Sequence, residues 1–174
     1  NLSSGFKALG LLSAEGIYTP LIGRAVEMPP LDTSEMAHLS SGKTLLTTPT
    51  DDPRILLSSA LNPADPESAL MVAEIETRYL MGAEEGTLPP RTQFFVLDHA
   101  KNTLYSSLLE SPAFPEAEVP YMLRSYSGQF EWKQGDVEYV ARYISLFTKF
   151  DFFAPNWVLV IAEPKADVLA PMLQ

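Results

Sequence analysis

Apolar residues recur along this chain in two distinct rhythms. Over residues 2–28 they fall at helical spacing, at Phe6, Leu9, Leu12, Ile17, Leu21 and Val26, which predicts a long N-terminal helix. Gly16 and Pro20 should kink or interrupt it, and Pro29-Pro30 ends it. Residues 31–43 read as a loop with one turn of helix, capped by Asp32 or Thr33. From Thr44 onward the rhythm changes to strands. "TLLTT" is a short one, stopped by Pro49. "RILLSSAL" (54–61) and "ALMVAEIE" (69–76) form a hairpin across the turn-rich "NPADPES". "TRYLMG" is a short helix closed by Gly82, and "AEEGTLPPR" a loop.

A second hairpin pairs "TQFFVLD" (92–98) with "TLYSSL" (103–108), with Asp98 and Asn102 as turn residues. "LESPAFPEAEVP" is an exposed excursion, and "YMLRSYSGQFEW" reads as a helical turn leading into a strand. "GDVEYVARYISLF" (135–147) and "WVLVIA" (157–162) are the last strands, followed by a short apolar helix. No sequence repeat stands out. Antiparallel neighbours with helices on the flanks predict an α+β fold, a single antiparallel sheet of five to six strands. One domain spans residues 1–174: a helical region and loop (1–43), a sheet core (44–163) and the start of a terminal helix (164–174). Strands such as "FFVL", "LMVA" and "WVLVIA" are apolar on both faces and require cover on both sides.

Composition removes several function classes. The chain has 174 residues, a net charge of −10 and no cysteine. Its acidity, with no Lys/Arg cluster, argues against nucleic acid as a partner. Lack of cysteine removes disulfides, thiol catalysis and Cys-based zinc sites, and suits an exported bacterial domain. "SSGKT" (40–44) lacks the glycine a phosphate loop needs, since Ala37 stands there. Only His38 and His99 exist, and no Gly-x-Ser-x-Gly elbow accompanies them. Two solvated histidines are the simplest reading. No cofactor or metal is implied, because no His-x-x-x-His and no Asp-rich calcium loop is present.

The segment "EYVARYISLF" holds the one suggestive constellation. Arg142 stands mid-strand among apolar neighbours. It reads either as half of an ion pair with Glu74 or Glu138, or as a bidentate clamp for a small carboxylate. On the second reading Arg78 supplies further charge, and Tyr139, Tyr143, Tyr126 and Trp132 supply walls, between the sheet and the 77–91 and 109–132 loops. The expected ligand is a small anion or an amino-acid-like molecule.

Three stretches, "PRILLSSALNPADPESALMVAEIETRYL", "TQFFVLDHAKNTLYSSL" and "VEYVARYISLFTKFDFFAPNWVLVIAEPKADVLAPM", together resemble the extracytoplasmic Cache-type sensor domains of bacterial signalling proteins. The flavour is that of membrane diguanylate cyclases of the GGDEF class. Met71–Glu76 with Tyr79-Leu80, Val96–Asp98 with Leu104–Ser107, and Trp157–Met172 carry the likeness, over roughly residues 50–174. The arginine-tryptophan-tyrosine signature of amino-acid-binding members is not evident. The resemblance implies a PAS-like sheet behind a long N-terminal helix, in a periplasmic, non-catalytic sensory domain of an inner-membrane protein. That domain binds a small ligand or relays a conformational change to a cytoplasmic output domain. It implies a terminal helix running into a membrane span, and homodimerisation through the N-terminal helix stripe. A small hydrolase with dispersed catalytic residues and a ligand-free interaction domain are the alternatives.

Overall fold

The computed structural model describes residues 5–81, 91–108 and 112–169. The chain divides into two compact units. The first comprises Asn1–Ala83 with Thr148–Pro155, and the second Glu84–Phe147 with Asn156–Gln174. Each unit has its own five-stranded antiparallel sheet, where the sequence pattern predicts one sheet of five to six strands.

The first unit opens with β1 (Phe6–Leu12) and β2 (Tyr18–Ile22), not with the predicted long helix. This is a correction with a clear cause. Ser13 and Ile17 bond across the turn, Ser13 N–H donating to Ile17 O at 2.9 Å and Ile17 N–H to Ser13 Oγ at 3.2 Å, and Gly16 sits at φ +80°. That left-handed residue closes the hairpin where a helix would otherwise run on. Along β1 the buried positions alternate, Ala8 and Gly10 facing one way, a period of two that the coincident spacing of Phe6, Leu9 and Leu12 disguises. Hydrogen-bonding to a neighbouring strand then decides the matter, for β1 pairs residue by residue with β5 (Leu70–Ile75), Ala8 opposite Glu74 and Gly10 opposite Val72. The stripe expected to drive helix pairing is thereby dispersed: Phe6, Leu9 and Leu12 lie on β1, Ile17 in the turn and Leu21 on β2.

α1 (Thr33–Ser40) follows, with Asp32 as its cap. The Asp32 carboxylate accepts from Ser34 and Glu35 N–H, and Glu35 Oε2 accepts from Asp32 N–H at 2.7 Å, a complete capping box. β3 (Leu45–Thr47), β4 (Ile55–Ala60), β5 and α2 (Thr77–Leu80) fall where the pattern places them; Gly82, the expected helix stop, lies outside the described residues. Leu39, Leu45, Leu56, Leu70 and Val72 form the core. His38 is not a free surface group. Its Nε2 lies 3.0 Å from Thr44 O, and its ring stacks on Phe153 at 5.3 Å.

In the second unit β6 (Gln93–Leu97) and β7 (Thr103–Ser106) make the predicted hairpin. Then come α3 (Val119–Arg124), β8 (Ser127–Gln134) and β9 (Val137–Leu146). A short helix, α4 (Lys149–Phe152), belongs to the first unit. β10 (Trp157–Pro164) and α5 (Lys165–Leu169) are the last elements among the described residues. The strand orders are β2-β1-β5-β4-β3 and β7-β6-β10-β9-β8. Adding five to each label of the first sheet reproduces the second, so the two units share a topology that no sequence repeat betrays.

The β6–β7 turn rests on Asp98, which is fully buried. Its carboxylate accepts from Ala100 N–H and Asn102 N–H, both at 2.8 Å, and from Asn102 Nδ2 at 3.0 Å. Removing it would leave backbone donors unmatched. Asp98→Ala is expected to destabilise the second unit by roughly 2–3 kcal/mol, read as a lowered urea midpoint at unchanged slope.

Candidate functional site

The residues singled out from sequence do not converge on one site. β9 alternates, so Tyr139, Ala141, Tyr143 and Ser145 face the core while Val140, Arg142 and Ile144 face the opposite side. Tyr139 and Tyr143 are therefore across the sheet from Arg142. Trp132 joins the two tyrosines. It is 5% exposed and stacks on Tyr139 at 4.7 Å, within an aromatic cluster that includes Phe95, Phe114 and Phe130. The Trp132 indole N–H has no hydrogen-bond partner among the described residues. Tyr126 is exposed and stacks on Phe147 at 5.7 Å. Arg78 lies in α2 of the first unit. The proposed ion-pair partners of Arg142 are engaged elsewhere: Glu74 with Arg24, and Glu138 with Lys165 at 4.0 Å. Much of the 77–91 loop, and residues 109–111, lie outside the described residues.

The first unit holds a group that the sequence pattern offers only as a possible ion-pair partner of Arg142. Along β5, Leu70, Val72 and Glu74 share the core-facing side, and Glu74 is 2% exposed. A carboxylate in that position is costly unless paired. Its partner is Arg24 from the loop after β2, whose Nη2 lies 3.3 Å from Oε2 and 3.5 Å from Oε1. These contacts are long for a charge-assisted pair, and the Arg24 side chain is 69% exposed. A deeply buried anion is thus held by a cation that is mostly in water. The signal was present in the sequence, as an acid at an even step of an otherwise apolar alternation, Leu70, Val72, Glu74.

The charge of this carboxylate acts on Tyr18. Its ring lies directly over β1 at Gly10, where any Cβ would collide with the ring and the hydroxyl. Only glycine permits that approach. The Tyr18 hydroxyl is buried, with the Val26 backbone facing it. Burial pushes its pKa above the ordinary tyrosine value; the Val26 backbone partly offsets this, and the Glu74 charge adds to it. Tyr18 also lines a cavity of about 560 Å³, walled by Leu12, Val26, Met28, Leu31 and Met36. The volume suits a small molecule. Ser13, Glu27 and Ser68 supply polar groups in the same wall, and Glu74 lies outside the lining residues. A mostly apolar cavity with the Glu27 carboxylate in its wall and the buried Glu74 charge acting on Tyr18 suits a ligand with an apolar body and a cationic end.

Two further cavities lie in the second unit. One of about 270 Å³ is lined by Leu97, Lys101, Phe114 and Val119. The other, of about 390 Å³, lies on the outer side of the sheet at Arg142. No cluster of three or more His, Cys, Asp or Glu side chains able to hold a metal occurs among the described residues, and no helix there is long and apolar enough to cross a membrane.

No protein-family model matches the sequence, and no curated protein is significantly similar to it. Solved structures do share its fold. The ligand-binding domain of the Pseudomonas aeruginosa amino acid chemoreceptor PctB, solved with L-Arg, superposes with a TM-score of 0.63 at 15% identity, covering 95% of this chain and 74% of that one. The extracellular domain of rpHK1S-Z16, described as a histidine kinase, gives 0.58 at 18% identity over 96% and 74%. A domain of a Vibrio parahaemolyticus protein described as sensory box/GGDEF family gives 0.56 at 12% identity over 94% and 74%. The chain therefore shares the α+β fold of these extracellular and ligand-binding domains.

Proposed function

We propose that this chain is the periplasmic sensory domain of a membrane-bound bacterial signalling protein, itself without catalytic activity, which binds a small amine-bearing ligand in its first unit and passes the change to a cytoplasmic output domain such as a cyclase or kinase. The observation that carries the ligand assignment is Glu74, buried to 2% exposure yet held, among the described residues, by one ion pair with the largely solvated Arg24. A ligand ammonium reaching Glu74 replaces that long contact with a shorter, drier one, while its apolar body fills the cavity beside Tyr18. The fold supports the sensory role, and the L-Arg bound to PctB supports an amino-acid-like ligand. In such a protein the domain is tethered to the inner membrane.

Thermal denaturation of the chain with a panel of alkylamines, amino acids and alkyl carboxylates tests the reading. An ammonium compound should raise the melting temperature. At a hundredfold excess over Kd, mass action contributes about 2.7 kcal/mol. A panel in which no ammonium compound shifts the transition refutes the ligand assignment.

A further inference from the structure

The outer side of the second sheet presents a different chemistry from the Glu74 site. Val140, Arg142 and Ile144 of β9 lie there beside Leu159, Ile161 and Glu163 of β10, in register Ile144 with Leu159, Arg142 with Ile161 and Val140 with Glu163. The floor is apolar and incompletely covered: Ile144 and Ile161 are 38% and 43% exposed. Val168 of α5 closes one side of the 390 Å³ cavity. Of the two charges present, Glu163 accepts a hydrogen bond from the Thr92 hydroxyl at 3.3 Å. Arg142 has no salt bridge among the described residues. One unmatched guanidinium at the centre of an apolar floor complements a molecule with a carboxylate at one end and a short hydrocarbon chain at the other.

We propose that this cavity is a second binding site, for small aliphatic carboxylates, with Arg142 receiving the carboxylate and Ile144, Leu159, Ile161 and Val168 receiving the chain. The site lies against the element that ends the described chain. α5 is tied to the sheet by Lys165 to Glu131 at 2.6 Å and to the β6 side by Arg91 to Asp167 at 2.8 Å. A ligand pressing on Val168 therefore bears on a helix held by two ion pairs, both largely solvated and individually weak. Occupancy of the cavity shifts α5 relative to β9 and β10. This inference stands apart from the amine site, since the two use different residues in different units.

The test is titration of the 15N-labelled chain with hexanoate, hexylamine and hexanol. Hexanoate should move the amide signals of residues 140–144, 159–163 and 165–169 saturably, with hexanol and hexylamine at least about tenfold weaker, the factor one lost charge-assisted contact confers. Arg142→Gln should weaken hexanoate by about tenfold or more and leave the amine response of the first unit intact. Val168→Trp, which fills the cavity from an exposed helix, should abolish hexanoate binding in a chain whose other signals are unmoved. Equal binding of hexanol, an undiminished response in Arg142→Gln, shifts mapping elsewhere, or no saturation by hexanoate each overturns the proposal. Failure of the amine panel with success here would reject the Glu74 assignment alone.

Discussion

Glu74→Gln should abolish amine binding and leave the fold as stable as before, or more so. The amide keeps the shape of the carboxylate and removes its charge. In the unliganded protein that charge is a burden: desolvating it costs several kcal/mol, and Arg24, 69% exposed, returns little. Replacing an under-compensated buried charge is therefore neutral or stabilising, by up to a few kcal/mol. In the complex the same charge is the ligand's counterpart, and its loss should cost about 2–5 kcal/mol of binding, a factor of at least about thirty. Arg24→Ala should do the reverse. It strands the carboxylate, lowering stability by roughly 1–2 kcal/mol, and removes the competitor for Glu74, so amines bind more tightly. Calorimetric titration and urea unfolding of both variants decide the question. If Glu74→Gln is strongly destabilising and binds amines unchanged, the pair is purely structural.

The second large effect is on packing. Phe95→Ala should destabilise the second unit by about 3–5 kcal/mol. Phe95 is fully buried and meets Phe114 edge-on at 5.3 Å and Trp132 at 6.1 Å. Removing the ring leaves a void among stiff aromatic neighbours that cannot collapse into it. The control is Phe150→Ala, where the side chain is 85% exposed and the change should stay within about 0.5 kcal/mol. Trp132 and Trp157 both belong to the second unit, so tryptophan fluorescence during denaturation reports that unit directly. A Phe95→Ala midpoint equal to that of Phe150→Ala would show that the aromatic cluster is not what holds the sheet.

These experiments rest on features of unequal legibility. The eight strands from Leu45 onward are written in β-branched and aromatic runs bounded by proline, asparagine and glycine, and they form where that pattern places them. Asp32 with Glu35 marks the start of α1 as a capping box, and Asp98 with Asn102 marks the β6–β7 turn. Such signals are local: the groups that satisfy the backbone lie within four residues of it.

The sequence alone thus determined the strands of the core, the α+β class and the likeness to extracytoplasmic sensor domains. The tertiary structure decided three things that depend on distant partners. It turned Phe6–Ile22 into a hairpin, because pairing with β5 outweighs an ambiguous apolar spacing. It separated the strands into two sheets of one topology, since strand order is set by which edges meet and leaves no mark on a single strand. It also split the proposed site, as the alternation of β9 sends Arg142 to one face and Tyr139 and Tyr143 to the other, while Glu74, fifty residues from Arg24, became a buried charge only once β1, β4 and β5 closed around it.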